Sequence, residues 1–212
     1  MNTTEGAAGP ARTGRKPVTS KAELSHVALA LFQRDGFDRV TVDDIAAAAG
    51  IGRRTFFRYF PSKNDLPWGD FEDLLSRMSD YLQGLPEDMP LGTGLCSAVV
   101  EFNRFPASET PYHRQRMELL LHVPTLLAHS TLRYTAWRQV VAAHAARRLG
   151  VPVDSLQPQA IAWALLGLCL AAYEQWLQSE DLVLTDVLLQ SLQLIHGVPD
   201  EPGSLFHAGG SQ

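Results

Sequence analysis

The chain has few cysteines and no long apolar segment. Its two cysteines, Cys96 and Cys169, are far apart and show no Cys-x-x-Cys spacing, so we expect neither a disulfide framework nor a thiolate metal site. The longest apolar run, residues 160–172, is shorter than the roughly 20 residues that a membrane-spanning helix needs, and no secretory signal follows Met1. We therefore predict a cytoplasmic protein in which that run forms a buried helix.

Signatures of catalysis and of cofactor binding are also missing from the sequence. The seven histidines do not show the His-x-x-x-His spacing that places two metal ligands on one helix face. Neither Gly-x-Ser-x-Gly nor a glycine-rich phosphate loop ending in Lys-Ser or Lys-Thr occurs. We predict that the chain is not an enzyme and that it holds no metal ion and no cofactor.

The apolar residues that are present recur at helical spacing. No segment alternates with a period of two, so the predicted fold class is all-α. A first helix should begin after a capping Ser20 and end at Gly36, with the apolar stripe Leu24, Val27, Ala28, Leu31 and Phe32. Further stripes cover residues 71–85, 95–105, 114–123, 126–149, 161–177 and 184–195, and the predicted breaks are Pro86, Pro106, Pro111, Pro124 and Pro152.

Two short helices should follow the first. Thr41 can cap the second helix in a capping box with Asp44, and Gly50, which tolerates positive φ, can end it. Its predicted buried residues are Ile45, Ala46, Ala48 and Ala49. The third helix should span residues 53–60 and stop at Pro61. A second capping box, formed by Ser62 and Asp65, predicts that a fourth helix begins near Lys63 and contains Pro67 in its first turn.

Positive charge is concentrated at the N-terminal end of this acidic chain. Residues 1–63 contain 10 Lys and Arg against 6 Asp and Glu, whereas residues 64–212 contain 8 against 17. Because attraction to phosphate acts over a Debye length of about 8–10 Å, such a protein could approach DNA with one end only. An ordinary acidic protein with a basic tail is the alternative interpretation of the charge pattern.

The second and third helices match the requirements of a helix-turn-helix. A glycine-containing turn joins them, and the second of the pair, which would enter the major groove, is rich in arginine. Phe56 and Phe60 should anchor it to Ile45 and to the first helix. Arginine suits guanine O6 and N7, and the residues expected to face the groove are Arg53, Arg54 and Phe57. The expected phosphate contacts are Thr55, Tyr59 and Lys63.

The run TVDDIAAAAGIGRRTFFRYFPSKND, residues 41–65, resembles the DNA-binding domain of the TetR family of repressors. The resemblance is specific over residues 21–65 and extends to the remainder only in helical plan and length. Gly52 stands where the family usually has a capping Ser, and Phe57 where a Tyr commonly meets a phosphate. The resemblance implies DNA contacts at Thr41, Arg53, Arg54, Thr55, Phe57, Tyr59 and Lys63. Residues 52–70, 101–105 and 129–134 further resemble regulators found with mycofactocin biosynthesis genes, which implies control of redox-cofactor metabolism.

The same resemblance implies an effector pocket within helices four to seven and a homodimer formed by the last two long helices on a palindromic operator. Polar and aromatic residues among the apolar ones are the candidate effector contacts: Phe102, Phe105, Arg116, His122, His129, Tyr134 and Trp137. A lone His or Trp on an apolar helix is more often a core residue whose polar group is satisfied within the protein, and this is the alternative interpretation of each. Five arginines of the acidic body, Arg104, Arg114, Arg116, Arg133 and Arg138, form either a basic rim for an anionic effector such as an acyl-coenzyme A or ordinary surface ion pairs.

The sequence thus divides into four predicted segments. A basic flexible arm covers residues 1–19, the helix-turn-helix domain 20–66, the effector-binding and dimerisation domain 67–198, and a disordered tail 199–212. The predicted function is a sequence-specific transcriptional repressor that a small molecule releases from DNA. A ligand-responsive activator and a non-enzymatic helical interaction protein are the alternatives.

Overall fold

The computed structural model describes residues 20–193, and its chain forms two compact units that divide between Lys63 and Asn64. Neither described part contains a β-strand, which confirms the predicted all-α class. The predicted arm, residues 1–19, and the predicted tail, residues 199–212, lie outside the described residues.

Three helices make up the described part of the first unit: α1 (Lys21–Asp35), α2 (Val42–Ala49) and α3 (Arg53–Tyr59). Ser20 caps α1 by accepting a hydrogen bond from the Glu23 amide at 3.1 Å. Gly36 ends that helix at a φ of 84°, and Gly50 ends α2 at a φ of 69°. Both are conformations that a residue without a Cβ adopts readily. These predicted helix ends are therefore confirmed.

The core of the first unit contains most of the predicted apolar residues, together with Leu29, Phe37 and Val40. All five stripe residues of α1 are buried, as are Ile45, Phe56 and Phe60. The rings of Phe56 and Phe60 lie 6.5 Å apart between centroids, so one side of α3 is fixed against the unit as predicted. Ala48 is only half-buried, because it lies at the edge of the buried face formed by Ile45, Ala46 and Ala49.

The described part of the second unit contains six α-helices: α4 (Phe71–Gln83), α5 (Leu91–Phe102), α6 (Thr110–His122), α7 (Pro124–Leu149), α8 (Leu156–Leu177) and α9 (Leu184–Leu192). Helix α8 packs against α6, α7 and α9, and α4 packs against α5 and α7. Leu95, Leu126 and Leu165 lie fully buried where these helices meet.

The prediction of a fourth helix beginning near Lys63 is wrong. Residues Lys63–Trp68 form a short 3-10 helix, and α4 begins only at Phe71. Pro67 has no amide hydrogen to donate, so an α-helical bond at that position cannot form. Gly69, at a φ of 58°, then turns the chain into α4.

Two boundaries in the second unit also differ from the sequence pattern. Helix α5 ends at Phe102, so Phe105 lies in the loop that follows, before a one-turn 3-10 helix at Ala107–Glu109. Pro111 does not break a helix but occupies the first turn of α6. Proline is tolerated there because the amides of the first turn have no partner within the helix.

In the described part of the chain, α8 is the one helix long and apolar enough to cross a membrane by length and composition. About 44% of its apolar window is buried in the protein. A core helix of a soluble protein satisfies the same criterion. Its packing against α6, α7 and α9 buries one side of it in the second unit. The prediction of a buried helix over residues 160–172 is therefore correct for that side only, because Trp163, Ala164 and Gly167 on the other side are exposed.

Candidate nucleic-acid interface and effector cavity

Helix α3 presents a basic face on the side opposite its buried phenylalanines. Arg53, Arg54, Phe57 and Arg58 are exposed, and the Phe57 side chain is 45% accessible. A large apolar ring exposed to water among arginines is typical of a surface that binds another molecule, so this face has the chemistry of a contact surface. The structure thus brings together the three residues that the sequence assigns to the DNA groove.

The two groove-facing arginines have different surroundings. Arg53 forms an ion pair with Asp43 of α2, with both carboxylate oxygens 2.8 Å from one guanidinium nitrogen, and it lies 5.5 Å from the centre of the Phe57 ring. Arg54 has neither a hydrogen-bond nor an ion-pair partner within residues 20–193. Because the Arg53–Asp43 pair is exposed, it contributes only about 0.2–1 kcal/mol and can be exchanged for a phosphate or a base.

Thr41 forms the predicted capping box with Asp44. The Thr41 amide and hydroxyl both donate to an Asp44 carboxylate oxygen, at 2.8 and 2.6 Å, and the Asp44 amide donates to the Thr41 hydroxyl at 3.2 Å. The side-chain hydrogen bond from Thr41 lowers the pKa of Asp44. The Thr41 hydroxyl therefore fixes the start of α2, and its hydrogen is donated to Asp44 rather than left for a phosphate oxygen.

The ammonium group of Lys63, the last residue of the first unit, forms hydrogen bonds within that unit. Its Nζ donates to the backbone oxygens of Phe37 at 2.8 Å and Val40 at 3.0 Å, and it lies 4.3 Å from the centre of the Phe37 ring. Burial lowers the pKa of this lysine. Two of its three N–H groups are thus used to close the loop between α1 and α2, which leaves one for a phosphate.

Two further predicted phosphate contacts, Thr55 and Tyr59, are half-buried on α3. The Arg58 guanidinium lies 5.4 Å from the Tyr59 ring centre. Gly52, where the family usually has Ser, makes no side-chain cap, and a Cβ built there would meet nothing within 4 Å. There is therefore room for a larger residue at position 52, so the glycine is not required there by steric crowding.

The second unit contains a partly open, mostly apolar cavity of about 60 Å³ between α4, α5, α6, α7 and α8. Three predicted effector residues line it: Phe102, Tyr134 and Trp137. Sequence reasoning missed other members of the wall: Trp68, Phe71, Leu166, Cys169, Leu170 and Tyr173. Trp68 could have been recognised from its position directly after the helix-turn-helix, where Leu66-Pro67-Trp68 is an apolar run that Pro67 keeps out of a regular helix.

The remaining predicted effector residues do not line this cavity. Phe105 stacks on the buried His113, with centroids 4.5 Å apart, beside an open groove of about 600 Å³ near the start of α9. The Arg116 guanidinium is largely buried beside Gly69. His122 is exposed, and its ring lies 3.1 Å from the Glu118 carboxylate on the preceding turn of α6.

His129 belongs to a buried charge cluster rather than to the cavity wall. Asp65 is buried in the 3-10 helix, and one of its carboxylate oxygens accepts hydrogen bonds from His129 at 3.0 Å and from Arg133 at 2.8 Å. Arg133 also donates to Glu72 at 3.2 Å. Residues one turn apart on α7 thus hold the segment that precedes α4, and we call this set, Asp65, Glu72, His129 and Arg133, the Asp65 cluster.

Most of the arginines considered as a basic rim already contact other groups of the protein. Arg104 pairs with Glu101 at 3.0 Å, and Arg114 donates to the backbone oxygens of Trp176 and Ser179. Arg138 lies 3.6 Å from the centre of the Trp163 ring. Ion pairing and packing are therefore the observed roles of these side chains. Among residues 20–193, no group of three or more His, Cys, Asp and Glu is arranged to hold a metal ion.

Family models match both units of the chain. Residues 24–66 match the model described as bacterial regulatory proteins of the tetR family, and residues 89–198 match the MftR C-terminal domain. A Mycobacterium tuberculosis protein provisionally described as a mycofactocin biosynthesis transcriptional regulator, MftR, is 45% identical over 84% of this chain and 89% of its own length. The regulator TcmR of Streptomyces glaucescens is 30% identical over 69% of this chain and 67% of its own length.

Solved structures of low sequence identity share the fold. A TetR-family regulator from Syntrophomonas wolfei superposes with a TM-score of 0.61 at 15% identity, covering 82% of this chain and 91% of that one. The fatty acid degradation regulator FadR of Bacillus halodurans gives a TM-score of 0.58 at 16% identity, covering 85% and 96%. These similarities concern the arrangement of helices.

Proposed function

Because this chain belongs to the TetR family of bacterial transcriptional regulators, we propose that it is a repressor that binds a palindromic operator as a homodimer and is released by a small-molecule effector. The observation that carries this proposal is the exposed face of α3. Arg53, Arg54 and Phe57 project from a helix that Phe56 and Phe60 fix to its unit, which is the geometry needed to present side chains to base edges.

The proposed dimer uses α8 and α9. Small residues on the exposed side of α8, Ala160, Ala164, Gly167 and Ala171, permit close approach of a second helix, and Trp163 beside them is 58% accessible. Leu189 on α9 is also exposed. A second copy would cover these apolar groups and hold two α3 helices about 34–36 Å apart, the spacing of successive major grooves on one side of DNA.

The proposed effector site is the cavity lined by Phe102, Tyr134 and Trp137, and an acyl-coenzyme A is the ligand class proposed for it. The wall is mostly aromatic and aliphatic, and such an apolar surface suits an acyl chain. A volume of about 60 Å³ corresponds to roughly two water molecules, so a chain would enter by displacing flexible side chains such as Met117 and Leu170. The proposed location is the cytoplasm, where the regulator meets DNA.

The proposed targets are genes of mycofactocin-related redox metabolism. This part of the proposal is supported by the 45% identity to the Mycobacterium tuberculosis relative and by the match of residues 89–198 to the MftR C-terminal domain. Base-contacting arginines of the α3 face would select the operator of those genes.

Fluorescence anisotropy tests the proposal with the full-length protein. We expect tighter binding to a labelled fragment of the protein's own upstream DNA than to scrambled DNA across a salt series, and release by one member of an acyl-coenzyme A panel. Equal affinity for both DNAs at every salt concentration would contradict sequence-specific regulation. Effector-enhanced binding would instead identify an activator, and the absence of DNA binding would favour an interaction protein.

A further inference from the structure

Two buried hydrogen-bond donors of the second unit, Trp68 Nε1 and Arg116 Nε, have no partner among the described residues. They lie close to Gly69. Trp68 precedes Gly69 in the chain, and a guanidinium nitrogen of Arg116 is 3.6 Å from the position that a Cβ at Gly69 would occupy. Buried donors in proteins are almost always hydrogen-bonded, because an unpaired one loses its water without compensation. Trp68 Nε1 lies in the wall of the cavity, so an acceptor bound there would complete its hydrogen bonding.

Trp68 lines the cavity, and its Nε1 donates to none of the described groups there. Its ring packs edge-on against Phe71 at 4.9 Å and Tyr134 at 5.6 Å between centroids. The side-chain oxygen of Asn103, also in the wall, already accepts a hydrogen bond from the Tyr173 hydroxyl. An indole N–H can only donate, and the Tyr134 hydroxyl in the same wall also has no partner among the described residues. The cavity therefore contains unpaired hydrogen-bonding groups in a largely apolar wall.

We propose that Trp68 recognises the effector by donating its Nε1 hydrogen to an acceptor oxygen on an otherwise apolar molecule, such as the carbonyl oxygen of an acyl thioester. This inference rests on the effector function proposed for the cavity and adds a chemical requirement for its ligand. A hydrocarbon leaves the indole unpaired.

The position of Trp68 in the chain connects this recognition to the rest of the protein. Trp68 is the last residue of the six-residue 3-10 helix, whose middle is held to α7 by the Asp65 cluster and whose first residue is Lys63. Lys63 in turn binds the loop after α1. Trp68 therefore belongs to the short segment that directly follows the first unit in the chain.

Calorimetric titration with two matched compounds tests the proposal. Octanoyl-coenzyme A has the carbonyl oxygen, whereas S-octyl-coenzyme A, its thioether analogue, lacks it. We expect the full-length wild-type protein to bind the thioester about tenfold more tightly than the thioether. Trp68→Phe keeps an aromatic ring and removes the donor, so it should bind the two compounds equally within about threefold. Comparing the two ligands on one variant cancels any change in cavity shape that affects both.

Tyr81→Phe serves as a control variant, because it removes an aromatic donor of α4 that lies outside this cavity, and it should keep the tenfold preference. Circular dichroism and thermal unfolding establish that each variant is folded. Persistence of the preference in Trp68→Phe, or equal wild-type affinity for the two compounds, would overturn the role of Trp68 and leave the effector class intact. Failure of both compounds to bind the wild-type protein would overturn both proposals.

Discussion

The neighbouring residues Arg53 and Arg54 differ in what they must give up to reach DNA. Arg53 must leave Asp43, whereas Arg54 has no partner within the described residues. A bidentate arginine–guanine pair contributes about 1–3 kcal/mol of discrimination against other bases. The exposed ion pair of Arg53 offsets up to about 1 kcal/mol of such a gain. Arg54 is therefore the stronger candidate for base recognition.

We predict that Arg54→Ala weakens binding to the protein's own operator by about tenfold or more and changes binding to scrambled DNA by less than about threefold. Arg53→Ala should have a smaller effect on the operator. Asp43→Ala is the matched control, since it frees Arg53 and should leave operator affinity unchanged or increase it. Anisotropy titrations measure all three variants. Equal losses on both DNAs for Arg54→Ala would instead identify a phosphate contact.

Within helix α6, the buried His113 makes the stability of the second unit depend on pH. Burial lowers its pKa to about 3, with a further contribution from the positive charge of Arg116. In the unfolded chain this imidazole titrates near 6.5. Between these two values the unfolded state binds a proton that the folded state does not, so the free energy of unfolding decreases as the pH falls, by up to about 1.4 kcal/mol per pH unit.

We predict that His113→Leu removes this contribution. Both ring nitrogens of His113 lack a partner among the described residues, so replacing the ring with an apolar side chain breaks no hydrogen bond. Between pH 7 and pH 4.5 the variant should lose about 2–3 kcal/mol less stability than the wild type, as measured by urea unfolding followed by circular dichroism. His122→Gln, at an exposed position of the same helix, is the control. Parallel losses in wild type and His113→Leu would contradict a neutral buried imidazole.

A helix end could be predicted from the sequence where it is set by interactions between residues close together in the chain. Ser20, Gly36, Thr41 and Gly50 act through bonds and dihedral angles within a few residues, and each ends or begins a helix where the sequence predicts. The start of α4 could not be located by a capping pattern. There Pro67 and the contacts of Asp65 with α7 override the pattern, and those contacts join residues more than 60 positions apart.

The same distinction separates the two candidate sites. The α3 face follows from the spacing of residues on one short helix, so its orientation could be predicted from Phe56 and Phe60. The cavity is assembled from several helices, and periodicity does not specify which aromatic residue faces it. His122 and His129 were predicted as effector contacts, but the structure places them beside Glu118 and Asp65. Trp68 was missed because it lies in an irregular segment.

For the whole molecule, the uneven charge distribution and the exposed face of α8 indicate that operator affinity depends on the association of two copies of the chain. The acidic residues 64–212 would be repelled by DNA, so the basic residues 1–63 must supply the attraction. One short α3 helix contacts few bases. In the proposed dimer, two copies held together by α8 would double the contacts without a second loss of translational freedom, so operator binding should depend steeply on dimerisation.

Gly167 provides a direct test of this dependence, because a Cβ built there meets nothing within 4 Å in the single chain. Gly167→Glu should therefore fold normally yet place a carboxylate in the proposed dimer interface, where an unpaired buried charge costs several kcal/mol. Light scattering should show a monomer, and anisotropy should show affinity for the palindromic operator reduced by about a hundredfold or more. Thr93→Glu, at an exposed position of α5, should remain dimeric with wild-type affinity. A dimeric Gly167→Glu would place the association surface elsewhere, whereas a monomer with undiminished operator affinity would show that one α3 helix is sufficient.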